Sequence, residues 1–286
     1  MRVLIVGSQG QLGQALLHVA AQQPKLQAIG WQRRDHDITV PDIARAVAQL
    51  GPDLVINTAA YTQVDKAEAE PDVAYAANTL GPKYLAEGCR ACGAPLVHIS
   101  TNEVFAGTLG YFYREYDQPQ AGGVYARSKL AGEVAVRQIW DRLYTVRVAW
   151  LFGRGTGDFP AKILQAAAGR DVLKVVADEF GNPTYAPHVA TAIFELVNSE
   201  RFGTYHLVNE GWTSRFEWTQ YLFEQIACST RLEAITAAEW PRAVTPPPHA
   251  VLVNQAAAAL DIRLPTWQAA VREYVESGVL TRTGGK

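Results

Sequence analysis

The chain has 286 residues, 48% of them apolar and 19% charged, and a formal net charge of −2. That length suits one large α/β domain or two unequal ones. No basic block appears, no apolar run is long enough to span a bilayer, and the start "MRVLIVGSQG" is too short and Gly-interrupted for a secretory signal; these features argue against nucleic-acid and membrane partners and for a cytoplasmic enzyme.

In chain order, "RVLIV" (2–6) is a β-branched strand ended by Gly7, and "QLGQALLHVAAQQ" has apolar residues at helical spacing. "LQAIGW" (26–31) is a second strand, and "PDIARAVAQLG" is a helix with Pro41 at its start and Gly51 at its end. "DLVINTA" (53–59) follows as a third strand, then a long helix with a bend expected at Gly81-Pro82, a fourth strand "APLVHIS", a helix "VYARSKLAGEVAVRQI" and a fifth strand "YTVRVAWLFG". This alternation predicts a Rossmann-like, doubly wound parallel sheet over residues 1–155. Beyond it the rhythm loosens: a helix at "FPAKILQAAAGR", a strand at "VLKVVAD", a helix at "APHVATAIFELVNS", a strand at "TYHLVN", a helix at "SRFEWTQYLFEQIACS", the Pro246-Pro247-Pro248 loop and a last helix at "TWQAAVREYVES". Residues 156–286 read as a smaller, mainly substrate-binding α/β domain that can return elements to the first, with a frayed tail "LTRTGGK".

Cys89 and Cys92 form a C-x-x-C at the end of a helical pattern, but no second Cys/His pair has matching spacing, so both read as packed helix residues and no metal site is expected. Gly7-x-x-Gly10-x-x-Gly13 joins the first strand to the first helix. Glycines there permit a tight turn and a close approach of backbone to pyrophosphate, and the helix N-terminus attracts the phosphates. The loop residues Gly7, Gln9, Gly10, Gln11, Leu12 and Gly13 are the candidate cradle. About 20 positions on, where an acidic residue would hold a ribose 2′-hydroxyl, stand Arg33 and Arg34. Cations suit a 2′-phosphate, which favours NADPH with NADH as the alternative; two solvated arginines are the plainer reading. Asp37 and Ile38 could flank the adenine, and "NTAAY" presents Ala59, Ala60 and Tyr61 where a cofactor backbone could pass.

Tyr125 and Lys129 are spaced i, i+4 on a predicted helix and share a face. A free phenol titrates near 10 and must fall by roughly three units, about 4 kcal/mol, to exchange protons at neutral pH. A neighbouring ammonium favours that, and Thr101, at a strand end, could hydrogen-bond a substrate carbonyl.

With these residues in place the chain resembles the extended short-chain dehydrogenase/reductases and, more narrowly, the dTDP-4-dehydrorhamnose reductases. The resemblance spans nearly the full length and rests on "GSQGQLGQAL", "NTAAYTQVDKAEAEPDVAYAANTLGPKYLA", "STNEVFAG", "YARSKLAGE", "VRVAWLFG", "DEFGNPTYA" and "LPTWQAAV". It implies an NAD(P)H-dependent reduction of the C4 keto group of a nucleotide-linked 6-deoxy sugar, most simply dTDP-4-dehydro-L-rhamnose. Tyr125 would be the general acid, Lys129 would lower its pKa and grip the nicotinamide ribose, and Thr101 would polarise the carbonyl. Asn78 would steady the cofactor region, Trp150 would lie against the sugar unless it is a buried strand aromatic, and the "DEFGNPT" loop, with Phe180, Pro183 and Thr184, would line the sugar side with Asn102, Glu103 and Val104. A homodimer is compatible with the resemblance. A non-catalytic nucleotide-binding regulatory subunit and a reductase or epimerase of another nucleotide sugar are the alternatives.

The chain departs from the family pattern at two places. "STNEVFAG" stands for S-T-D-Y-V-F-D-G, and "PPPHA" (246–250) for R-P-x-x-S. Three readings of Glu103 stay open: an acceptor for sugar hydroxyls, a partner for an arginine, or a second acid/base group. A carboxylate near Tyr125 would raise the tyrosine's pKa, which argues against direct contact unless a cation intervenes.

Overall fold

The computed structural model describes residues 1–153 and 157–278; the boundary drawn at 155/156 and the tail from Leu280 lie outside them. Six parallel strands build the central sheet: β1 (Arg2–Val6), β2 (Gln27–Trp31), β3 (Leu54–Asn57), β4 (Leu96–Thr101), β5 (Leu143–Val148) and β6 (Gly203–His206). They lie in the order β2-β1-β3-β4-β5-β6. The order reverses beside β1, so the crevice at the carboxyl ends of β1 and β3 is the place such sheets offer to ligands.

The strands are apolar on both faces because helices cover both. Val3 and Ile5 point to one face, where α1 (Gln11–Ala21) and α6 (Ala186–Asn198) bring Leu12, Leu16, Val189 and Ile193. Leu4 and Val6 point to the other, where α2 (Asp42–Leu50) and α3 (Gly81–Cys92) bring Ile43, Val47, Leu85 and Ala86. α2 begins after Pro41 and ends at Gly51, whose φ of 56° is the left-handed stop expected of a C-terminal glycine. β6 and α6 follow residue 157 in sequence yet complete the sheet and layer begun by the first half.

One expectation is corrected. "YTVRVAWLFG" is not one strand. β5 stops at Val148, Trp150 takes a φ of 40°, and Leu151–Phe152 pairs with Thr184–Tyr185 in a separate ribbon. The chain at Gly81-Pro82 does not break the helix. Helix runs from Pro71 to Cys92, with a π-helical turn at Ala76–Leu80 just before Gly81. Widening the turn re-registers the hydrogen bonds where Pro82 cannot donate. Gly81 makes room instead for Ile38, since a methyl there would stand 2.7 Å from its Cδ1.

The remaining elements form a smaller lobe. Val172–Val176 pairs in parallel with Arg231–Ile235, a strand the apolar pattern hides. α5 (Phe159–Ala167) and α7 (Arg215–Gln225) pack on it through Ala167 and Phe223. α8 (Trp267–Glu276) joins Phe152, Tyr185, Trp218 and Tyr274 in an aromatic core. Among the described residues no helix is long and apolar enough to cross a membrane, and no group of three or more His, Cys, Asp or Glu is arranged to hold a metal.

Candidate active site

The glycine loop is a cradle that side chains would fill. Gly7 has a φ of 80°, and a methyl on it would stand 2.6 Å from Ala59 N. A methyl on Gly13 would stand 2.7 Å from Ser8 Cα and run into the Gly7 carbonyl. The loop is tied to the end of β3 by the Thr58 hydroxyl, which donates to Val6 and Gly7 carbonyls at 2.8 and 3.1 Å. Gly10 is the N-cap of α1 and supplies no side-chain cap, so the helix presents the N–H groups of its first turn, from Gln11 onward, without a capping oxygen. Gln9 and Gly10 are exposed and Gln11 half-buried, whereas Leu12 belongs to the core beneath. Uncapped N–H groups, a positive dipole end and no Cβ in the way fit a pyrophosphate.

Arg33 and Arg34 stand on the loop after β2 with side chains 79% and 75% exposed, held only by Asp37 at 3.7 Å and Asp35 at 3.3 Å. Both guanidinium groups are available to a ligand phosphate. Asp37 is busy in a local turn, accepting from the Thr39 N–H and hydroxyl, and those bonds keep its carboxyl low against the opposing pull of burial. Ile38 is buried under α3 and gives its side chain to the core, not to an adenine. Ala59, Ala60 and Tyr61 are half-buried at the end of β3. Asn78, fully buried on the π-turn, takes the Tyr61 N–H at 2.8 Å and donates to the Tyr61 carbonyl and Ser128 Oγ at 3.0 Å each. Its amide is spent on scaffolding: it locks this loop to α4 (Val124–Ile139) and offers nothing directly to a cofactor.

α4 carries Tyr125 and Lys129 and is placed tightly. The Val124 N–H donates to Glu68 Oε1 at 2.7 Å, which fixes the start of the helix, and Gly132 lets it touch the Asn78 carbonyl. Thr101, the last residue of β4, accepts the Glu103 N–H at 3.2 Å and faces the Tyr125 phenol. Thr101 and Tyr125 are thus together at the sheet's carboxyl end, 7% and 9% exposed. Burial, then the Glu103 carboxylate, push the phenol well above its ordinary value, while the Thr101 hydroxyl pulls the other way. At neutral pH Tyr125 is a protonated donor. Lys129 follows one turn along α4. Its Nζ donates to the Ile99 carbonyl at 2.6 Å, and burial brings it down to about 8 against the pull of Glu133.

Tyr125 and Glu103 line a cavity of about 240 Å³, closed on the far side by Val244 to Pro248. Trp150 lies where the chain leaves β5. Its φ of 40° is costly for an aromatic residue, and such strain concentrates at functional sites. Gly181 makes room for the indole, since a methyl there would stand 2.5 Å from Cε2. Arg215 covers the ring with its guanidinium 3.7 Å from the centroid. The other residues expected on the sugar side divide. Phe180 is half-buried, with its ring against Trp212 and His249. Asn102 ties the end of β4 to the Ala250 carbonyl at 2.9 Å, and Val104 is core. Pro183 and Thr184 are buried; Thr184 gives its hydroxyl to the Asn182 carbonyl and its N–H to the Trp150 carbonyl, so it supports Trp150 and leaves no group for a ligand.

Residues 1–279 match the family model described as the RmlD substrate binding domain. A dTDP-4-dehydrorhamnose reductase of Mycobacterium tuberculosis is 40% identical over 248 residues, which cover 84% of this chain and 81% of the relative. The chain belongs to the dTDP-4-dehydrorhamnose reductase family. The crystal structure of the Clostridium acetobutylicum member has a TM-score of 0.91 at 31% identity, covering 97% of this chain and 99% of that one. The Bacillus anthracis reductase, solved in complex with NADP, has a TM-score of 0.93 at 30% identity, covering 96% and 99%.

Where this chain leaves the family pattern, the structure reveals a set of charges that motif reading overlooked. Glu179 pairs with Arg215 at 3.8 Å and with Arg242 at 3.9 Å, and Arg242 reaches Asp65 at 3.4 Å. Glu103 faces both arginines, so the cation its position requires is present. Glu179 sat unread inside "DEFGNPT". Arg215 opens α7 behind a capping box in which Ser214 accepts from Glu217 N at 3.1 Å and Glu217 accepts from Ser214 N at 3.0 Å; the S-x-x-E spacing marks that helix start in the sequence. Nothing local marks Arg242, which comes close only through the fold.

Proposed function

We propose that the chain is an NADPH-dependent oxidoreductase that reduces the 4-keto group of dTDP-4-dehydro-L-rhamnose to the alcohol. The observation that carries this reading is the meeting of a buried, protonated Tyr125, which lines a cavity, with the Thr101 hydroxyl at the carboxyl end of the sheet that also carries the glycine cradle. When bound, NADPH supplies hydride to the carbonyl carbon. The Gly7–Gly13 loop and the first turn of α1 would hold its pyrophosphate, and Arg33 and Arg34 its 2′-phosphate. Thr101 orients the carbonyl oxygen, and the Tyr125 phenol donates the proton that oxygen needs. A burial-raised pKa suits a donor, which must be protonated before the reaction. Lys129, buried one turn along α4 from Tyr125, would receive ribose hydroxyls once it releases the Ile99 carbonyl.

The division of labour follows the chain: residues before Gly153 supply the cofactor cradle and the proton donor, while Glu179, Arg215 and Arg242 complete the sugar side. The test is NADPH and NADH consumption against a panel of dTDP- and UDP-linked 4-keto sugars. Stoichiometric oxidation of NADPH with dTDP-4-dehydro-L-rhamnose is expected. Sugar conversion without net NADPH oxidation would mean an epimerase, and no conversion of any sugar would refute the reading.

A further inference from the structure

The carboxylates of the sugar side are all engaged except one. Glu179 is paired with two arginines, Asp65 with one, and Glu68 holds the start of α4. Glu103 lines the cavity with Tyr125, yet its carboxylate accepts no hydrogen bond and makes no ion pair within 4.0 Å among the described residues. The cations that face it, Arg215 and Arg242, are held by Glu179 and Asp65 and support it only through space. Burial raises its pKa to about 7 despite them, with Glu179 and Asp65 adding to the rise. Glu103 is half-buried and its oxygens keep access to the cavity, yet no group among the described residues donates to them. Here the missing donors are on the cavity side.

The backbone makes the position a fixed one. Glu103 lies on the 3-10 turn Asn102–Val104, and its N–H is bonded to Thr101 Oγ1, the hydroxyl assigned to the carbonyl. Asn102 and Val104 on either side are locked into the protein. The residue is therefore held next to the Thr101 hydroxyl, with its carboxylate within electrostatic reach of Tyr125.

We infer that Glu103 is a specificity-determining residue that accepts a hydrogen bond from a hydroxyl on the ring carbon next to the reacting carbonyl. This rests on the reductase reading given above. In a 4-keto-6-deoxyhexose the neighbours of C4 are C3, which bears a hydroxyl, and C5, which bears the ring oxygen and a methyl group. The C3 hydroxyl is the one adjacent donor. A carboxyl oxygen held there selects a donor and rejects a sugar lacking it, because the acceptor is then left unpaired. Arg215, stacked on Trp150 and pinned by Glu179, keeps the charge tolerable without occupying the acceptor.

The experiment measures kcat/KM for NADPH oxidation with dTDP-4-dehydro-L-rhamnose and with its 3-deoxy counterpart, in the natural enzyme, Glu103→Gln and Glu103→Ala. NADPH affinity and Tm are recorded for each to show that the fold and cradle persist. The natural enzyme is expected to prefer the 3-hydroxy sugar by about 100-fold or more. Glu103→Ala should lose about that factor on the 3-hydroxy sugar and far less on the 3-deoxy one, so that the preference collapses; Glu103→Gln, which keeps one acceptor oxygen, should fall between. Equal losses on both sugars would make Glu103 a structural residue and overturn the inference while leaving the reductase reading standing. An unchanged preference in Glu103→Ala would overturn it too. No NADPH oxidation with either sugar in the natural enzyme would end the reductase reading and the inference together.

Discussion

Replacing Glu133 by Gln should destabilise the protein strongly and loosen the cofactor side of the site. Glu133 on α4 and Arg147 on β5 form a two-point pair, Nη2 to Oε2 at 2.7 Å and Nε to Oε1 at 3.0 Å, with side chains 3% and 4% exposed. The rest of the guanidinium's surroundings cannot take over. Its Nη1 has no partner, Phe105 offers a ring face at 5.0 Å, and His206, held neutral with a pKa of about 3 by burial and then by Arg147 itself, has no negative charge to give. Glu133→Gln therefore leaves a buried cation uncompensated, at a cost of about 3–5 kcal/mol. Against a typical total of about 5–15 kcal/mol that is a large fraction, and at about 2–4 °C per kcal/mol it lowers Tm by roughly 6–20 °C. Adding Arg147→Met removes the orphan charge, and the double variant should return to within about 1–2 kcal/mol of the natural protein. Glu133 also raises the pKa of Lys129 one turn away, so the single variant should weaken NADPH binding more at pH 8 than at pH 6.5. Urea and thermal unfolding followed by circular dichroism, with NADPH fluorescence titrations, measure both effects. A single variant within 1 kcal/mol of the natural protein, or a double variant no more stable than the single, would refute the reasoning.

Gly13→Ala should abolish the tight turn, because the new methyl meets the Ser8 and Gly7 backbone, which no rotamer change can relieve; NADPH affinity should drop by about 100-fold or more, or roughly 3 kcal/mol, in a fluorescence titration. Arg33→Ala with Arg34→Ala should erase most of the preference for NADPH over NADH and leave NADH turnover nearly intact, which steady-state kinetics with the two cofactors will show. Glu103→Gln should be more stabilising at pH 8.5 than at pH 4.5. The folded pKa of Glu103 is about 7 against an ordinary 4.5, so the fold holds that proton more tightly than the unfolded chain does. The stability from this group is complete below about 4.5 and is lost as pH rises through 7. With screening by solvent at the cavity mouth, the difference should be about 1–2 kcal/mol, read as the change in Tm between the two pH values.

Much of this arrangement is legible in the chain because it depends on short-range order. "RVLIV" before a Gly-x-x-Gly-x-x-Gly and a helical pattern can hardly be anything but strand, turn and helix, and the i, i+4 spacing puts Tyr125 and Lys129 on one face of their helix. What escaped depends on contacts between distant segments. The break at Trp150 is invisible in "YTVRVAWLFG", whose apolar run continues unbroken; it exists because Gly181, thirty-one positions on, leaves space for the indole. Thr184 reads as a sugar-side contact by motif, but its hydroxyl is given to the Asn182 carbonyl, while Asn78 steadies its surroundings through Tyr61 and Ser128. The bond from Lys129 to the Ile99 carbonyl depends on where β4 passes under α4, which no local pattern shows. The glutamate in "STNEVFAG" is isolated in the sequence because the arginines that face it, Arg215 and Arg242, come from more than a hundred positions away.

The central claim is that Tyr125 hands the proton to the sugar's carbonyl oxygen while NADPH is oxidised. Single-turnover oxidation of bound NADPH, followed at 340 nm after mixing with dTDP-4-dehydro-L-rhamnose, tests it most directly in Tyr125→Phe against the natural enzyme. Loss of one general acid predicts a rate lower by about 10²–10⁴-fold with NADPH affinity unchanged within a factor of three. A Phe variant that oxidises NADPH at the natural rate would contradict the account.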